Sequence, residues 1–429
     1  MNRTLHAYID DAFVGSLSEN TGVWSFQYDQ QWVQGGYALS PGLPLNPARH
    51  EDTGTYRPVQ WFFDNLLPED AARQQLVASM DNSAALTDAW ALLAHFGAES
   101  AGALTLLEPG KSLPEAGLVE LTDDALNARI DAMPRQALAA KAPKKMSLAG
   151  AQQKLPVVML DGKLYEPTGS RASTHILKPD SLNEYFPDSA VNEWFTARLA
   201  QRMGLPVPEV SLKYVPSPVY IIQRFDRQQL GEQVVRLHTL DALQLLSLAA
   251  YLKYDQSGIK ALTDVLEKCR TVNPARAALF RWTLFNILTG NSDAHLKNIS
   301  LIADAHGYEL APHYDMVSIE AWSRPELLGA GEDIWPDRPM SFPIGDAKRY
   351  GELSKAHLQQ FARDLGLGER FFNREFARMV GGIEAAAVAL IAEYEARTDV
   401  PPHLRASQLR MLRAIQHIPL TTMVKQLGG

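Results

Sequence analysis

Asp293-Ala-His-Leu-Lys-Asn298 carries the clearest chemistry in this chain of 429 residues. An acid and an amide at D-x-x-x-x-N spacing can share a phosphoryl transfer. The Asp293 carboxylate would meet the hydroxyl to be phosphorylated, and the Asn298 amide oxygen would bind a Mg2+ carried on nucleotide phosphates. Catalytic loops of kinases use this spacing. Alone it is weak, because an Asx-type turn places the same two residue types together. The elements around it add weight. Pro274 to Gly290 reads as a helix, with Pro near its start, apolar Leu279, Trp282, Leu284, Phe285 and Leu288, and a closing glycine. Ile299 to Ala303 reads as a short strand. Tyr308 to Asp315 reads as a second strand ending in an acid, and Asp315 can supply a further oxygen ligand to Mg2+.

Partner residues stand upstream in a consistent order. Ser173-Thr-His-Ile-Leu-Lys178 is a β-prone run ending in a lysine, whose compact charge suits the α- and β-phosphates of a nucleotide. A solvated edge-strand lysine is the bland alternative. Asp188 to Gly204 reads as a helix capped by Asp188 or Ser189, and on it Glu193 can orient Lys178 through an ion pair. A surface glutamate would look the same. Tyr220 to Phe225 is a strand breaking at Asp226, a natural hinge between two lobes. Backbone groups of Gln223, Arg224 and Phe225 could read an adenine edge there. No G-x-G-x-x-G loop, P-loop, His-Arg-Asp or Asp-Phe-Gly motif is present. In their place stands Met146-Ser147-Leu-Ala149-Gly150-Ala151-Gln152-Gln153-Lys154, whose small residues can still turn backbone N–H groups toward phosphate.

Six of these segments together resemble the HipA family. They are Ser-Leu-Ala-Gly-Ala-Gln-Gln-Lys (147–154), Thr-His-Ile-Leu-Lys-Pro (174–179), Asn-Glu (192–193), Arg-Phe-Asp-Arg (224–227), Ser-Asp-Ala-His-Leu-Lys-Asn (292–298) and Tyr-Asp (314–315). Leu39-Ser-Pro-Gly-Leu-Pro-Leu45 and Trp61-Phe-Phe-Asp-Asn-Leu-Leu-Pro-Glu69 resemble that family's first subdomain. The resemblance runs from about residue 5 to about 415. It implies a two-lobed α+β kinase-like fold with a small N-terminal subdomain and a mostly helical C-terminal lobe. It also implies an ATP- and Mg2+-dependent serine/threonine protein kinase, the toxin of a type II toxin–antitoxin pair. The target would be a protein serine, typically in an aminoacyl-tRNA synthetase such as glutamyl-tRNA synthetase. A HipB-like helix-turn-helix antitoxin would hold the kinase and bring it to DNA. His295, Leu296, Lys297 and Tyr314 would lie near the nucleotide. Ser147 would be the site of an inactivating autophosphorylation.

Composition agrees. With 41 Lys+Arg against 49 Asp+Glu and a net charge of −8, bulk electrostatics give no drive toward nucleic acid. The one cysteine, Cys269, excludes an internal disulfide and is expected to be a buried thiol in a helix. No run approaches 18 apolar residues and the start lacks an apolar leader, so a cytoplasmic protein is expected. We divide the chain into an N-terminal subdomain (1–108), a connector (109–145) with a mobile end at Lys141 to Lys145, a nucleotide-binding core (146–235) and a helical lobe (236–429). Helices are expected around 69–80, 85–96 and 122–132, and from Glu369 to Arg397 with a break near Gly381-Gly382. Two other classes compete. One is a silent scaffold that only docks a DNA-bound antitoxin, which Lys178, Asp293, Asn298 and Asp315 argue against. The other is a small-molecule phosphotransferase, which the N-terminal subdomain and the Gln-Gln-Lys segment argue against.

Overall fold

Alternating burial along Arg3–Ile9 and Ala12–Asn20 puts Leu5, Ala7 and Leu17 on the inner face of an antiparallel hairpin, and a register shift at Val14 buries that residue too. This hairpin begins the first of two units in the computed structural model, which describes residues 3–69, 73–74, 88–144, 146, 152–231, 233–323 and 333–428. The first unit comprises Met1–Lys178, Ile222–Leu252 and Ser300–Ala311. The second comprises Pro179–Ile221, Lys253–Ile299 and Pro312–Gly429. Both strands and helices contribute throughout, so the fold class is α+β.

In the first unit a five-stranded antiparallel sheet runs in the order His50–Glu51, Val23–Tyr28, Ala12–Asn20, Arg3–Ile9, Leu104–Leu107. The Pro58–Asp64 helix buries Phe62 and Phe63. Its exit is tied to sequence far downstream: Asn65 Nδ2 donates to the Leu248 carbonyl at 3.0 Å, and Gln244 Nε2 donates to the Phe62 carbonyl at 2.9 Å. The Trp61-to-Glu69 motif is therefore a structural joint. Of the two helices expected next, the one near 69–80 lies almost wholly outside the described residues, and the other appears as Ala89–Phe96.

A second antiparallel array in this unit runs Gly117–Glu120, Lys163–Thr168, Leu155–Leu160, His175–Pro179. Its central hairpin turns at Asp161-Gly162, both left-handed (φ 48° and 77°), the geometry that favours Gly and Asp in two-residue turns. The presumed connector is more than a linker. It supplies the Gly117–Glu120 edge strand and the Thr122-capped Asp123–Ala132 helix. Arg129 clamps that helix to the sheet through two 2.6 Å bonds to Glu166. Within the end expected to be mobile, Lys144 is instead buried and ion-paired to Glu99 at 2.8 Å. A buried acid draws the lysine inward.

The second unit is mostly helical. Glu369–Glu395 is one continuous 27-residue helix through Gly381 and Gly382. Two glycines cost about 1 kcal/mol each in a helix. Burial of Phe372, Phe376, Met379, Val380, Ile383, Leu390 and Ile391 on its inner face outweighs that, so the expected break is absent. Cys269 is buried just past the Ile259–Lys268 helix, with Sγ bonded to the Val265 carbonyl. No helix among the described residues is long and apolar enough to cross a membrane.

Candidate active site

The candidate catalytic loop begins where the Val272–Thr289 helix must stop. Gly290 is left-handed (φ 63°), and a Cβ there would lie 2.8 Å from Pro419 and 2.9 Å from the Glu320 side chain. Only glycine fits both demands. The loop that follows is knitted to itself. Asn291 accepts from the Asp293 N–H at 3.1 Å, and the Asp293 carbonyl accepts from His295 N and Asn298 Nδ2, each at 2.9 Å. The turn reading of the D-x-x-x-x-N spacing is therefore present, and it leaves the Asp293 carboxylate out of these bonds. Asn298 spends Nδ2 on the turn and keeps Oδ1 as an acceptor. Beneath the loop, fully buried Glu320 accepts from Ser292 Oγ at 2.8 Å and pairs with Arg338 at 3.3 Å. Nothing in the sequence singled out Glu320.

Asp315 reaches the same place from the other side. The strand after the loop is shorter than expected, ending at Leu310, because Pro312 cannot donate to a ladder. The chain then bends, and Asp315 adopts a left-handed φ of 56°. Such backbone strain in a non-glycine residue tends to mark functional sites. Tyr314 Oη donates to the Lys297 carbonyl at 2.6 Å, and Ser318 and Asn192 exchange bonds of 2.8 and 2.9 Å. Asn192 therefore pins the Ser189–Arg202 helix, and Glu193 with it, to the Asp315 segment. That helix is capped not by its own Asp188 or Ser189 but by Asp180, which accepts from Ala190 N at 2.7 Å. Burial pushes the Asp180 carboxyl up to about 6. Asp188 is left-handed at the boundary (φ 56°) and makes no cap bond, so the loop before it turns back and presents Asp180 instead.

Charge gathers around Asp293. Burial raises its carboxyl above the ordinary value; His295 and Tyr254 pull it down, and the charge of Asp315 pushes it up. His295 Nε2 lies 3.7 Å from Asp293 Oδ1. The buried Tyr220 hydroxyl is pushed well above its ordinary range by burial first, then by the charges of Glu193 and Asp315. Asp293, His295, Lys297, Asn298, Tyr314, Asp315 and Glu193 are thus assembled within one unit, with Leu296 buried behind them. Sequence reasoning missed Tyr254, whose hydroxyl donates to Asp293 Oδ1 and whose ring meets His295 edge-on at 5.0 Å. It lies 39 residues upstream of its partner and no motif connects them. No group of three or more His, Cys, Asp or Glu side chains forms a metal cage among the described residues.

The other candidates belong to the first unit. Lys178 is buried near the end of the His175–Pro179 strand. Lys178 and Glu193 fall in different units, and their ion pair remains an expectation. Ser147, Ala149, Gly150 and Ala151 lie outside the described residues; Gln152, Gln153 and Lys154 lie within them. Gln153 Oε1 accepts from Leu138 N at 3.1 Å, while its buried Nε2 makes no hydrogen bond among the described residues. Gln223 is exposed and Phe225 half-buried. Arg224 is committed elsewhere: its N–H donates to the Thr174 carbonyl, and its guanidinium binds Asp226 at 2.6 and 2.8 Å and Glu99 at 3.3 Å. Neither donor is available to an adenine. Glu99 anchors a wholly buried cluster, also holding Lys144, Arg227 at 3.2 Å and Ser173 Oγ at 2.5 Å.

The chain is similar to known proteins over nearly its whole length. Residues 146–387 match the HipA-like C-terminal domain and residues 5–107 the HipA N-terminal domain. The chain is 32% identical to the putative kinase Y4mE of Sinorhizobium fredii, covering 91% of this chain and 92% of that protein. It is 29% identical to the serine/threonine-protein kinase toxin HipA of Shewanella oneidensis, covering 90% and 89%. Its fold resembles HipA in the Shewanella oneidensis complex of HipA, HipB and operator DNA, with a TM-score of 0.78, 26% identity and 99% coverage of both chains. Two family domains matched on one chain, and relatives named as kinases over nine-tenths of its length, show that this protein belongs to the HipA family of serine/threonine-protein kinase toxins.

Proposed function

We propose that the chain transfers the γ-phosphoryl group of ATP, with Mg2+, to a serine of a protein. The observation that carries this is the loop itself: an Asp293 whose backbone is held by hydrogen bonds within the loop, with His295 and the charge of Asp315 close to its carboxylate. Asp293 takes or orients the proton of the acceptor hydroxyl. Asn298 Oδ1 and Asp315 would hold Mg2+, and the donor set fits, since Mg2+ takes oxygens and completes its octahedron with phosphates and water. Bound, the ion would neutralise charge on the transferring phosphate. Lys178 would carry the α- and β-phosphates, and the buried Nε2 of Gln153 is a donor that a phosphate oxygen would satisfy. Glu193 would orient Lys178. Transfer of radiolabel from ATP to serine in protein acceptors tests the class.

By the family resemblance, the target is an aminoacyl-tRNA synthetase such as glutamyl-tRNA synthetase, and the outcome is growth arrest in the cytoplasm. The partner proposed is a HipB-like helix-turn-helix antitoxin, the kind of protein that accompanies HipA in the Shewanella oneidensis complex. A net charge of −8 supports contact with DNA mainly through that partner. The isolated chain should therefore bind operator DNA only weakly and in a salt-sensitive way in a mobility-shift titration. Tight, sequence-specific binding by the chain alone would contradict this.

Ser147 is proposed as the self-inactivating site. Phosphate there would add about −1.5 to −2 charges beside residues assigned to ATP phosphates, so the two anions repel. Purified protein should carry phosphate on Ser147, and Asp293→Asn protein should carry none. Calorimetry should find ATP affinity sharply reduced in the phosphorylated form. Undiminished affinity in fully phosphorylated protein would remove the switch.

A further inference from the structure

We propose that Tyr254 is a stand-in for the acceptor hydroxyl: its Oη occupies the Asp293 carboxylate at rest and must leave before a substrate serine can reach it. This rests on the kinase reading of Asp293 given above. Three observations carry it. First, the Tyr254 hydroxyl donates to Asp293 Oδ1, which is the bond the acceptor hydroxyl must make to give up its proton. Second, Asp293 does not need Tyr254 for its placement. Its N–H is held by Asn291 and its carbonyl by Asn298 and His295, so the backbone that carries the carboxylate stays in place when the tyrosine departs, with His295 Nε2 still 3.7 Å from Oδ1. Third, burial does not hold Tyr254 in place. The residue is 43% exposed, and such a tyrosine would ordinarily give its hydroxyl to water.

The segment carrying Tyr254 is latched to the catalytic loop at another point. Leu296 N donates to Ser257 Oγ at 3.2 Å, and Ser257 Oγ donates to the Lys253 carbonyl at 2.6 Å. These bonds can persist while the tyrosine side chain rotates outward, so opening needs a change of rotamer and no unfolding of the loop. In turnover the acceptor oxygen bonds to the γ-phosphorus, the bond from phosphorus to the ADP oxygen breaks, and the acceptor proton passes to Asp293. Tyr254 keeps its own proton throughout. Without a protein acceptor the stand-in also denies Asp293 to water, which restrains futile hydrolysis of ATP to ADP and phosphate.

ADP release by the dephosphorylated full-length chain, with MgATP and no protein acceptor, tests this. Tyr254→Phe keeps the ring against His295 and removes only the hydroxyl. It should raise the rate about three- to tenfold, the factor for losing one ordinary net hydrogen bond. ATP affinity by calorimetry should not change, and the gain should vanish in the Tyr254→Phe, Asp293→Asn double variant. A residue that merely positions Asp293 would lower the rate instead. Release at or below the wild-type rate, with ATP bound at wild-type affinity, would overturn the stand-in. Failure of both chains to bind ATP would overturn the kinase reading and the stand-in with it.

Discussion

Asp293→Asn should slow phosphoryl transfer by about two to four orders of magnitude, the range for removing a positioned general base. The amide keeps the shape of the carboxylate and leaves the Asn291, His295 and Asn298 bonds to the backbone intact. Fold and ATP affinity should therefore match the wild type, and the loss should fall on kcat. What disappears is the group that accepts the hydroxyl proton. Phosphoryl transfer depends on placement and charge more than on covalent help from the protein, so no neighbour takes over the role. His295 lies 3.7 Å away, but its Nε2 faces the carboxylate, so it cannot substitute. Circular dichroism and calorimetry would separate this outcome from misfolding. Turnover near the wild-type rate would remove Asp293 from the mechanism.

Glu99→Gln should be the most damaging single change to stability in the first unit, at about 3–5 kcal/mol, the cost of stranding buried charge. Lys144, Arg224 and Arg227 all converge on this one carboxylate, and their side chains are at most 3% exposed. Burial alone would push the Glu99 carboxyl up. The cations Lys144, Arg227, Arg224 and Arg236 overcome it and hold the group well below its usual 4.5. For Lys144 the balance is opposite: desolvation outweighs the attraction of Glu99 and lowers its pKa. A depressed carboxylate contributes its full stability above the unfolded-state value and loses it as pH falls below that value toward the folded one. Urea unfolding of wild type should therefore weaken steeply in acid below about pH 4.5, and Glu99→Gln should lack that part of the dependence. Adding Lys144→Met to Glu99→Gln should recover part of the loss, since one stranded charge is removed. ATP binding should suffer too, because Lys144 lies three residues before Ser147 and Arg224 directly follows the Pro218–Gln223 strand. A loss below about 1 kcal/mol would mean that the cluster relaxes freely.

The candidate catalytic loop was legible because its residues are close together in the chain. Asp293 and Asn298 sit on one turn, and the glycine that stops the preceding helix and the acid ending the next segment follow in order. The Asp161-Gly162 hairpin was legible for the same reason, since turn chemistry is written in adjacent residues. What stayed hidden depends on pairs far apart in the chain. Tyr254 meets Asp293 only through the path of the loop between them, and Glu99 meets Arg224 from 125 positions away. Lys144 stood in a run of lysines and proline expected to be mobile, and the distant Glu99 and Arg171 carbonyl make its burial possible. The cap of the Ser189–Arg202 helix came from Asp180 because a left-handed Asp188 reverses the chain, a conformation that residue type alone does not specify. Gly381-Gly382 misled in the other direction. Helix propensity is a weak term beside the burial of a continuous apolar face.

Serine phosphorylation in cells expressing this chain, compared with cells expressing its Asp293→Asn variant, tests the central claim most directly. A phosphoproteome should show at least one protein modified on serine only with the active form, and that protein should accept phosphate from ATP when mixed with the purified chain. Identical phosphoproteomes, with both proteins folded and expressed to the same level, would contradict the assignment of this chain as a protein kinase.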